Sequence, residues 1–584
     1  MYRAPLRELH FVLQELLVSE RLAACPELRD YSGELADSVL EEAARFAQTV
    51  LDPLNKPGDR QGVRWTPDGV VTAPGFREAY QQFVAGGWPQ LGADPQFGGQ
   101  RVPAVLSTAV QELWASANLA FKLCPMLTHG AEHALELCGS PDQKSLFLPK
   151  MVSGEWTGTM VLTEPQAGSD LAQVRTRAVP DADAWRLFGQ KIFITWGDHD
   201  LTSNTIHLIL ARIEGAPPGV KGLSLFIVPK VLVNADGSLG ARNEVRCVSV
   251  EHKLGIHASP TCVLAFGDQK GALGYLVGEA NRGLEYMFIM MNSARLSVGL
   301  EGYAVGERAF QHAADWARTR VQGKPPVAQV TGPAPIIHHP DVKRMLLTMK
   351  SVTEAARALT LYTALQLDLA AYATDPQERA AAEARGDLLI PIVKGWCTET
   401  GNETAAIGVQ IHGGMGFIEE TGAAQYVRDA RITTIYEGTT GIQSNDLIGR
   451  KLARDGGATM RALLTDMTRE LKEIGASSTL EAVGALQEAT DSLLGALASR
   501  PDLAMAVSVP YLKLCGTVIG GWLMAKASAT ASAALQAGTD REFYEGKIHS
   551  TRFYAEQVLP LAFGLARIVR DGGPSVVQTD AALI

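Results

Sequence analysis

No two of the seven cysteines, Cys25, Cys124, Cys138, Cys247, Cys262, Cys397 and Cys515, stand in a CxxC spacing. Neither a disulfide framework nor a zinc site is indicated, which suits a reducing, cytoplasmic setting. Long apolar runs are also missing. The longest, residues 514–525, stops at Lys526 and contains Gly516, Gly520 and Gly521, whereas a bilayer span needs about 20 apolar residues. A packed core helix is expected there, and no membrane insertion. The opening MYRAPLRELHFVLQELL is interrupted by Arg3, Arg7, Glu8 and Glu15, so it lacks the continuous apolar region of an export signal. No block of five or six like charges occurs, and the 53 basic and 63 acidic residues leave a net charge of −10. A nucleic-acid groove is not expected from that balance.

What the chain does have is length and apolar material. Its 584 residues, 46% hydrophobic, suffice for several cores, at about 100–200 residues per domain. From residue 9 to about 154 the apolar spacing is helical, as in ELADSVLEEAARFAQTVLDPL, where Leu35, Val39, Leu40 and Ala43 share a face. Between 160 and 266 the texture changes to short β-rich runs such as WRLFGQKIFIT, IHLILAR and LSLFIVP, divided by Gly, Pro, Asp and Asn. Helical spacing returns after Gly278 and is broken by GKPPVAQVTGPAP (323–335) and again near 455–457 and 475–478. The reading is a mainly α chain with an inserted β-domain: a helical domain 1–158, a β-domain 159–275, a helical bundle 276–455, a linker 456–478 and a last helical domain 479–584.

Five stretches carry polar or glycine-rich patterns that chemistry could use. TEPQAGSD (163–170) follows a strand-like run and offers hydroxyls and backbone N–H groups, as a ligand turn or simply as a turn. In GQKIFITWG (189–197), Phe193 beside Thr195 suits either a core strand or the wall of a flat aromatic cofactor. ARTRVQG (317–323) places Arg318 and Arg320 at a helix end, where arginine forks meet diphosphate or water. GVQIHGGMGF (408–417) lets the backbone approach a phosphate at Gly413 and Gly414. It is not GxGxxG after a strand, so a dinucleotide fold of the doubly wound kind is excluded. His412 has no second ligand at metal spacing, so no metal site is expected. IYEGTTGIQ (435–443) sets Glu437 between Tyr436 and Gly438, as a proton-abstracting base or as a turn acid.

Taken in order, TEPQAGSD, KIFIT, ARTR, QIHGGMGF and RDARITTIYEGTTGIQ resemble the acyl-CoA dehydrogenase family of flavoproteins over about residues 30–450. The opening YRAPLRELHFVLQEL and the added C-terminal block resemble its long bacterial subgroup, which includes 3-methylmercaptopropionyl-CoA dehydrogenase. The resemblance implies that family's fold, an N-terminal helical domain, a middle β-barrel-like domain and a four-helix bundle, here with an extra C-terminal helical domain. It implies FAD as cofactor and α,β-dehydrogenation of an acyl-CoA thioester to the trans-2-enoyl-CoA, as in fatty acid β-oxidation. The substrate would be a fatty acyl-CoA or a 3-methylmercaptopropionyl-CoA-like thioester, the acceptor electron-transfer flavoprotein, and the assembly a homodimer.

Residue by residue, Glu437 occupies the glutamate of the family's YEGT motif and would be the base. Ala294 stands where a few members keep that base instead. Leu162, Thr163, Gly168 and Ser169 would meet the flavin, Ser169 also lining the acyl-CoA entrance. Phe193 and Thr195 would supply the ring wall and a nearby hydroxyl. Arg320, Gln410, Gly413 and Gly414 would hold diphosphate and adenosine, partly of the neighbouring subunit, with Thr439 and Gln443 also on the cofactor side. Asn292, Arg295, Tyr436 and Gly438 would face the substrate, and the Glu437 N–H would join a ribityl hydroxyl on the thioester carbonyl. One departure is Arg320-Val-Gln-Gly323, one residue shorter than the family's usual Arg-x-x-Phe-Gly. An oxygen-using acyl-CoA oxidase and a nucleic-acid-associated relative with little dehydrogenase activity are the competing readings.

Overall fold

A computed structural model describes every residue of the chain except 328, 329 and 539. The chain divides into two compact units: residues 1–44, 104–116 and 295–584 build the first, and 45–103 with 117–294 build the second. The helices used below are α1 (Ala104–Ala117), α2 (Leu119–Cys138), α3 (Pro141–Val152), α4 (Gly283–Thr319), α5 (Pro340–Tyr372), α6 (Pro376–Ile392), α7 (Thr398–His412), α8 (Thr440–Asp446), α9 (Ala458–Glu473), α10 (Ser477–Ser499) and α11 (Ser508–Gln536).

The second unit is organised around one sheet of eight strands: β1 (Trp156–Val161), β2 (Arg177–Asp181), β3 (Ala184–Thr195), β4 (Asn204–Ile213), β5 (Leu223–Pro229), β6 (Val245–Val250), β7 (Thr261–Phe266) and β8 (Ala272–Val277). Its order is β6-β7-β3-β8-β5-β4-β1, with β2 pairing β3 and β4. Only β1 with β4 and β2 with β4 run parallel. Val161, Leu187, Ile194, Ile209, Phe226, Val228, Leu264 and Phe266 share its core. β1 and β5 are buried along their whole length, which is why they read as continuous apolar runs rather than alternating ones. Helix α2 packs on β1. The approach requires glycine at 158, where a Cβ would lie 2.6 Å from that of Ala131. A reciprocal cap opens α3: Ser140 Oγ accepts from Gln143 N at 3.2 Å, and Gln143 Oε1 accepts from Ser140 N at 3.0 Å.

In the first unit α6 and α11 pack against α5, which is buried along most of its second half. The apolar run 514–525 lies in the middle of α11, with Leu514, Val518, Ile519, Trp522 and Leu523 all buried. Among the described residues no helix is long and apolar enough to cross a membrane. The stretch 456–478, read from sequence as a linker, instead contains α9, whose Met460, Leu463, Leu464, Met467 and Leu471 are buried. Those positions recur at helical spacing and give the segment one apolar face to pack.

Candidate active site

The loop 435–439 joins a short helical turn to α8, and its chain path is unusual. Glu437 takes φ +54° and Gly438 φ +90°. For a glutamate the left-handed region is strained and persists only where the surroundings hold it. Two side chains do so here. Gln443 Nε2 donates to the Glu437 carbonyl at 3.0 Å and to the Gly438 carbonyl at 3.3 Å. The Lys394 ammonium donates to the Gly438 carbonyl at 2.6 Å. Glycine is required at 438, because a Cβ would lie 2.7 Å from Gln443 Nε2. The helix cap is Thr439, whose Oγ1 accepts from Ile442 N at 3.3 Å, so Glu437 is not the capping acid.

Freed from capping, the Glu437 carboxyl is half-buried and has no hydrogen-bond partner among the described residues; its backbone N–H has none either. Burial pushes the carboxyl up to about 7, Lys394 and Arg295 oppose that rise, and Glu301 adds to it. Behind it, Arg295 is buried and paired with Asp446 at 2.8 Å, and Asp446 also pairs with Arg450. The Tyr436 hydroxyl donates to Glu301. Burial, with Glu301, raises the tyrosine well above its ordinary range. Thus Arg295, Tyr436, Glu437, Gly438, Thr439 and Gln443 are brought together. Lys394 and Glu301 complete the cluster, and sequence reading missed both, since neither belongs to a motif.

In the second unit, the turn after β1 is tied to β3. Ile192 N donates to the Thr163 carbonyl at 2.9 Å, and Lys191 Nζ donates to the Leu162 carbonyl at 2.8 Å. The same ammonium pairs with Glu164 at 2.9 Å, both side chains being buried. Burial alone would raise Glu164, but Lys191, the Thr176 hydroxyl and the Arg175 amide outweigh it and hold the acid at about 2. Gly168 and Ser169 lie exposed in the turn. Along β3 the pairing with β7 slips: Cys262 faces Ile194, while Leu264 faces Lys191. The extra residue makes a bulge, which re-aims a side chain. Phe193 occupies it at φ +59° and is 58% exposed. The hydroxyls of Thr163, Ser169 and Thr195 have no hydrogen-bond partner among the described residues. Asn292 is half-buried on α4.

A third group lies at the ends of α4 and α7 in the first unit. The Arg320 guanidinium sits 5.8 Å from the Trp316 ring, Trp316 stacks on His412 at 5.2 Å, and Gly413 follows directly. His412 Nδ1 meets the Gly408 carbonyl at 2.7 Å, so the histidine packs within its helix end. Gln410, Gly413 and Gly414 are exposed, Gly413 has φ +63°, and a Cβ on either glycine would touch nothing. Beside them Met415, Phe417 and Ile418 are also exposed, Phe417 at 85%. Elsewhere in this unit a cavity of about 320 Å³ is lined by Leu16, Tyr362, Arg385, Asp466 and Trp522 among others. It contains none of the residues selected from sequence.

Four family models match in succession: "Acyl-CoA dehydrogenase, N-terminal domain" over residues 34–155, "middle domain" over 159–269, "C-terminal domain" over 281–452, and "Acetyl-CoA dehydrogenase C-terminal like" over 456–580. The chain is 46% identical to the 3-methylmercaptopropionyl-CoA dehydrogenase of Ruegeria pomeroyi over 586 residues, 99% of each chain. It is 36% identical to the broad-specificity linear acyl-CoA dehydrogenase FadE5 of Mycobacterium tuberculosis over 612 residues, 100% of this chain and 99% of the relative. Among solved structures, a Bacillus anthracis acyl-CoA dehydrogenase complexed with FAD superposes at TM-score 0.71 and 22% identity, covering 96% of this chain and 90% of that one.

Proposed function

The chain belongs to the acyl-CoA dehydrogenase family, with that fold and the extra C-terminal domain, and we propose that it is an FAD-dependent dehydrogenase that oxidises an acyl-CoA thioester to the trans-2-enoyl-CoA. The observation that carries the reading is Glu437, a carboxyl with a raised proton affinity and no protein partner, fixed on a strained loop. The α-proton beside a thioester carbonyl is a weak acid. A base for it works best with a pKa near the working pH and must not be tied up in hydrogen bonds. The free N–H of Glu437 supplies a donor for the thioester carbonyl next to the base, where negative charge develops.

The residues present fit an FAD cofactor. Phe193 offers an exposed aromatic face, and Thr163 and Thr195 have unsatisfied hydroxyls. Gly413 and Gly414 leave an open cradle without Cβ atoms, with the Arg320 guanidinium at the neighbouring helix end. Gln443 Oε1 is buried without a protein partner. Leu162, Gly168, Ser169, Gln410 and Thr439 belong to the proposed cofactor set, and Ser169, Asn292 and Gly438 to the proposed acyl-CoA set. Arg295 is instead buried against Asp446 and the Tyr436 hydroxyl donates to Glu301, so these two support the base from within the protein. When bound, FAD would supply the acceptor for the hydride that leaves the β-carbon. Glu437 takes the α-proton and holds it at its carboxyl, and its N–H polarises the carbonyl.

The substrate we propose is a fatty acyl-CoA or a 3-methylmercaptopropionyl-CoA-like thioester, a reading supported by the name of the 46% identical relative. Electron-transfer flavoprotein is the acceptor. The exposed strip Met415, Phe417 and Ile418 supports a homodimer, because a strip of this kind calls for cover. Anaerobic titration of the flavin-loaded protein with a panel of acyl-CoA thioesters tests the reading. Loss of flavin absorbance with wild-type protein and none with Glu437→Gln is expected; bleaching by the variant at the wild-type rate removes Glu437 from the reaction.

A further inference from the structure

Lys394 lies in the π-helical turn Val393–Cys397, between α6 and α7, and is completely buried. Such turns widen a helix locally and recur at functional sites. The turn is held from both sides. The Thr398 hydroxyl donates to the Lys394 carbonyl at 2.7 Å. On the other side α11 of the extra C-terminal domain packs against it: Gly395 admits Leu512, and Gly516 admits Trp396. From this fixed turn the ammonium reaches the Gly438 carbonyl, one residue after the base. Its charge is opposed by burial and by the guanidinium of Arg295, and favoured by the carboxyls of Glu437, Glu301 and Glu399.

A lysine is an expensive way to fill buried space, since a desolvated ammonium needs charge or hydrogen-bond compensation that an apolar side chain of the same length does not. Its compensation here comes from the base loop itself. We propose that Lys394 is a positioning residue for proton abstraction: it clamps the Gly438 carbonyl so that Glu437 keeps its left-handed backbone, and its positive charge favours the carboxylate form of Glu437. The C-terminal domain, through Leu512 and Gly516, seats the turn from which Lys394 acts. The proposal rests on the reading of Glu437 as the base.

The test is single-turnover flavin reduction over a range of acyl-CoA concentrations up to saturation, followed from pH 5.5 to 9 in flavin-loaded wild type, Lys394→Met, Lys394→Gln, Lys394→Arg and Glu437→Gln. Removal of the charge is expected to lower the limiting rate at pH 7 about tenfold and to move the pH midpoint upward by about one unit, a tenfold change in proton affinity. KM is expected to stay within about twofold, because the loss falls on the chemical step. Lys394→Arg is expected to restore the midpoint. Where Lys394→Met fails to retain flavin, Lys394→Gln carries the same test. An unmoved midpoint in the flavin-loaded variants, or a loss confined to KM, overturns the proposal. Reduction by Glu437→Gln at the wild-type rate overturns the base and this role together; an inert Glu437→Gln beside unmoved Lys394 midpoints overturns only the role of Lys394.

Discussion

The Gln443 side-chain amide spans the two left-handed residues of the base loop, donating to the carbonyls of Glu437 and Gly438 at 3.0 and 3.3 Å. Its Nε2 also occupies the space that a Cβ on residue 438 would need, so the glutamine and the glycine depend on each other. Gln443→Ala would leave two carbonyls without this donor and relax the strain at Glu437. We expect flavin reduction to slow by about tenfold to a hundredfold, equivalent to about 1.4–2.7 kcal/mol of barrier, with little change in melting temperature. Stopped-flow absorbance and thermal denaturation measured on the same preparation check both halves. A wild-type rate for the variant would falsify the clamp.

The pH dependence follows from the same loop. Burial lifts Glu437 to about 7 and brings Lys394 down to about 7. The two face each other, so they titrate as a pair and the observed midpoint belongs to both. Only the carboxylate accepts a proton, so the rate of flavin reduction is expected to fall as pH drops through about 7 and to level off above it. A profile flat from pH 5.5 to 8 would mean that no group of this kind limits the step.

The Lys191 and Glu164 pair makes a prediction about stability in the second unit. Burial outweighs attraction on the lysine side and brings it down to about 8. Glu164 has more partners, accepting from the Thr176 hydroxyl and two backbone amides as well, and is held at about 2. The lowered lysine opposes the lowered acid near neutral pH, and the dependence on pH in the acid range comes from Glu164. Its contribution is complete above the ordinary carboxylate range and is lost as pH falls through about 2. Lys191→Met would strand a buried carboxylate, at about 3–5 kcal/mol, seen as a lower denaturation midpoint at neutral pH. The deficit should shrink in acid, where Glu164 becomes protonated; a deficit independent of pH would show that lost packing, not lost charge, is responsible.

Much of this was legible in the residues. Glu437, Gly438, Gly413 and Gly414 stand in motifs because the chemistry and the backbone demand those residue types at that spacing. The switch from helical to β-rich texture near residue 160 and back after 278 matches β1 to β8 and α4. Partnerships between distant positions were not legible. Lys191 meets Glu164, and Lys394 meets Gly438, only after folding, and nothing local marks either lysine as buried. The bulge at Phe193 is a property of the β3 and β7 register, not of KIFIT alone. Helix α9 is legible within 456–478, because Met460, Leu463, Leu464, Met467 and Leu471 carry the helical period.

Two glycines in the C-terminal domain allow the packing on the π turn to be tested with one kind of substitution. A Cβ on Gly516 would lie 2.1 Å from the Trp396 ring, whereas a Cβ on Gly484, exposed on α10, would meet nothing. Alanine is the better helix former by about 1 kcal/mol, so Gly484→Ala is expected to raise the melting temperature. At Gly516 the same gain is opposed by overpacking, which runs to about 1–3 kcal/mol or more in a filled core. Gly516→Ala is therefore expected to melt earlier. Because Trp396 stands two residues from Lys394 in the same turn, displacing it should also slow flavin reduction, while Gly484→Ala leaves the rate unchanged. A melting temperature raised equally by both substitutions would mean that α11 and the turn separate freely, and the C-terminal domain would then have no hold on the base loop.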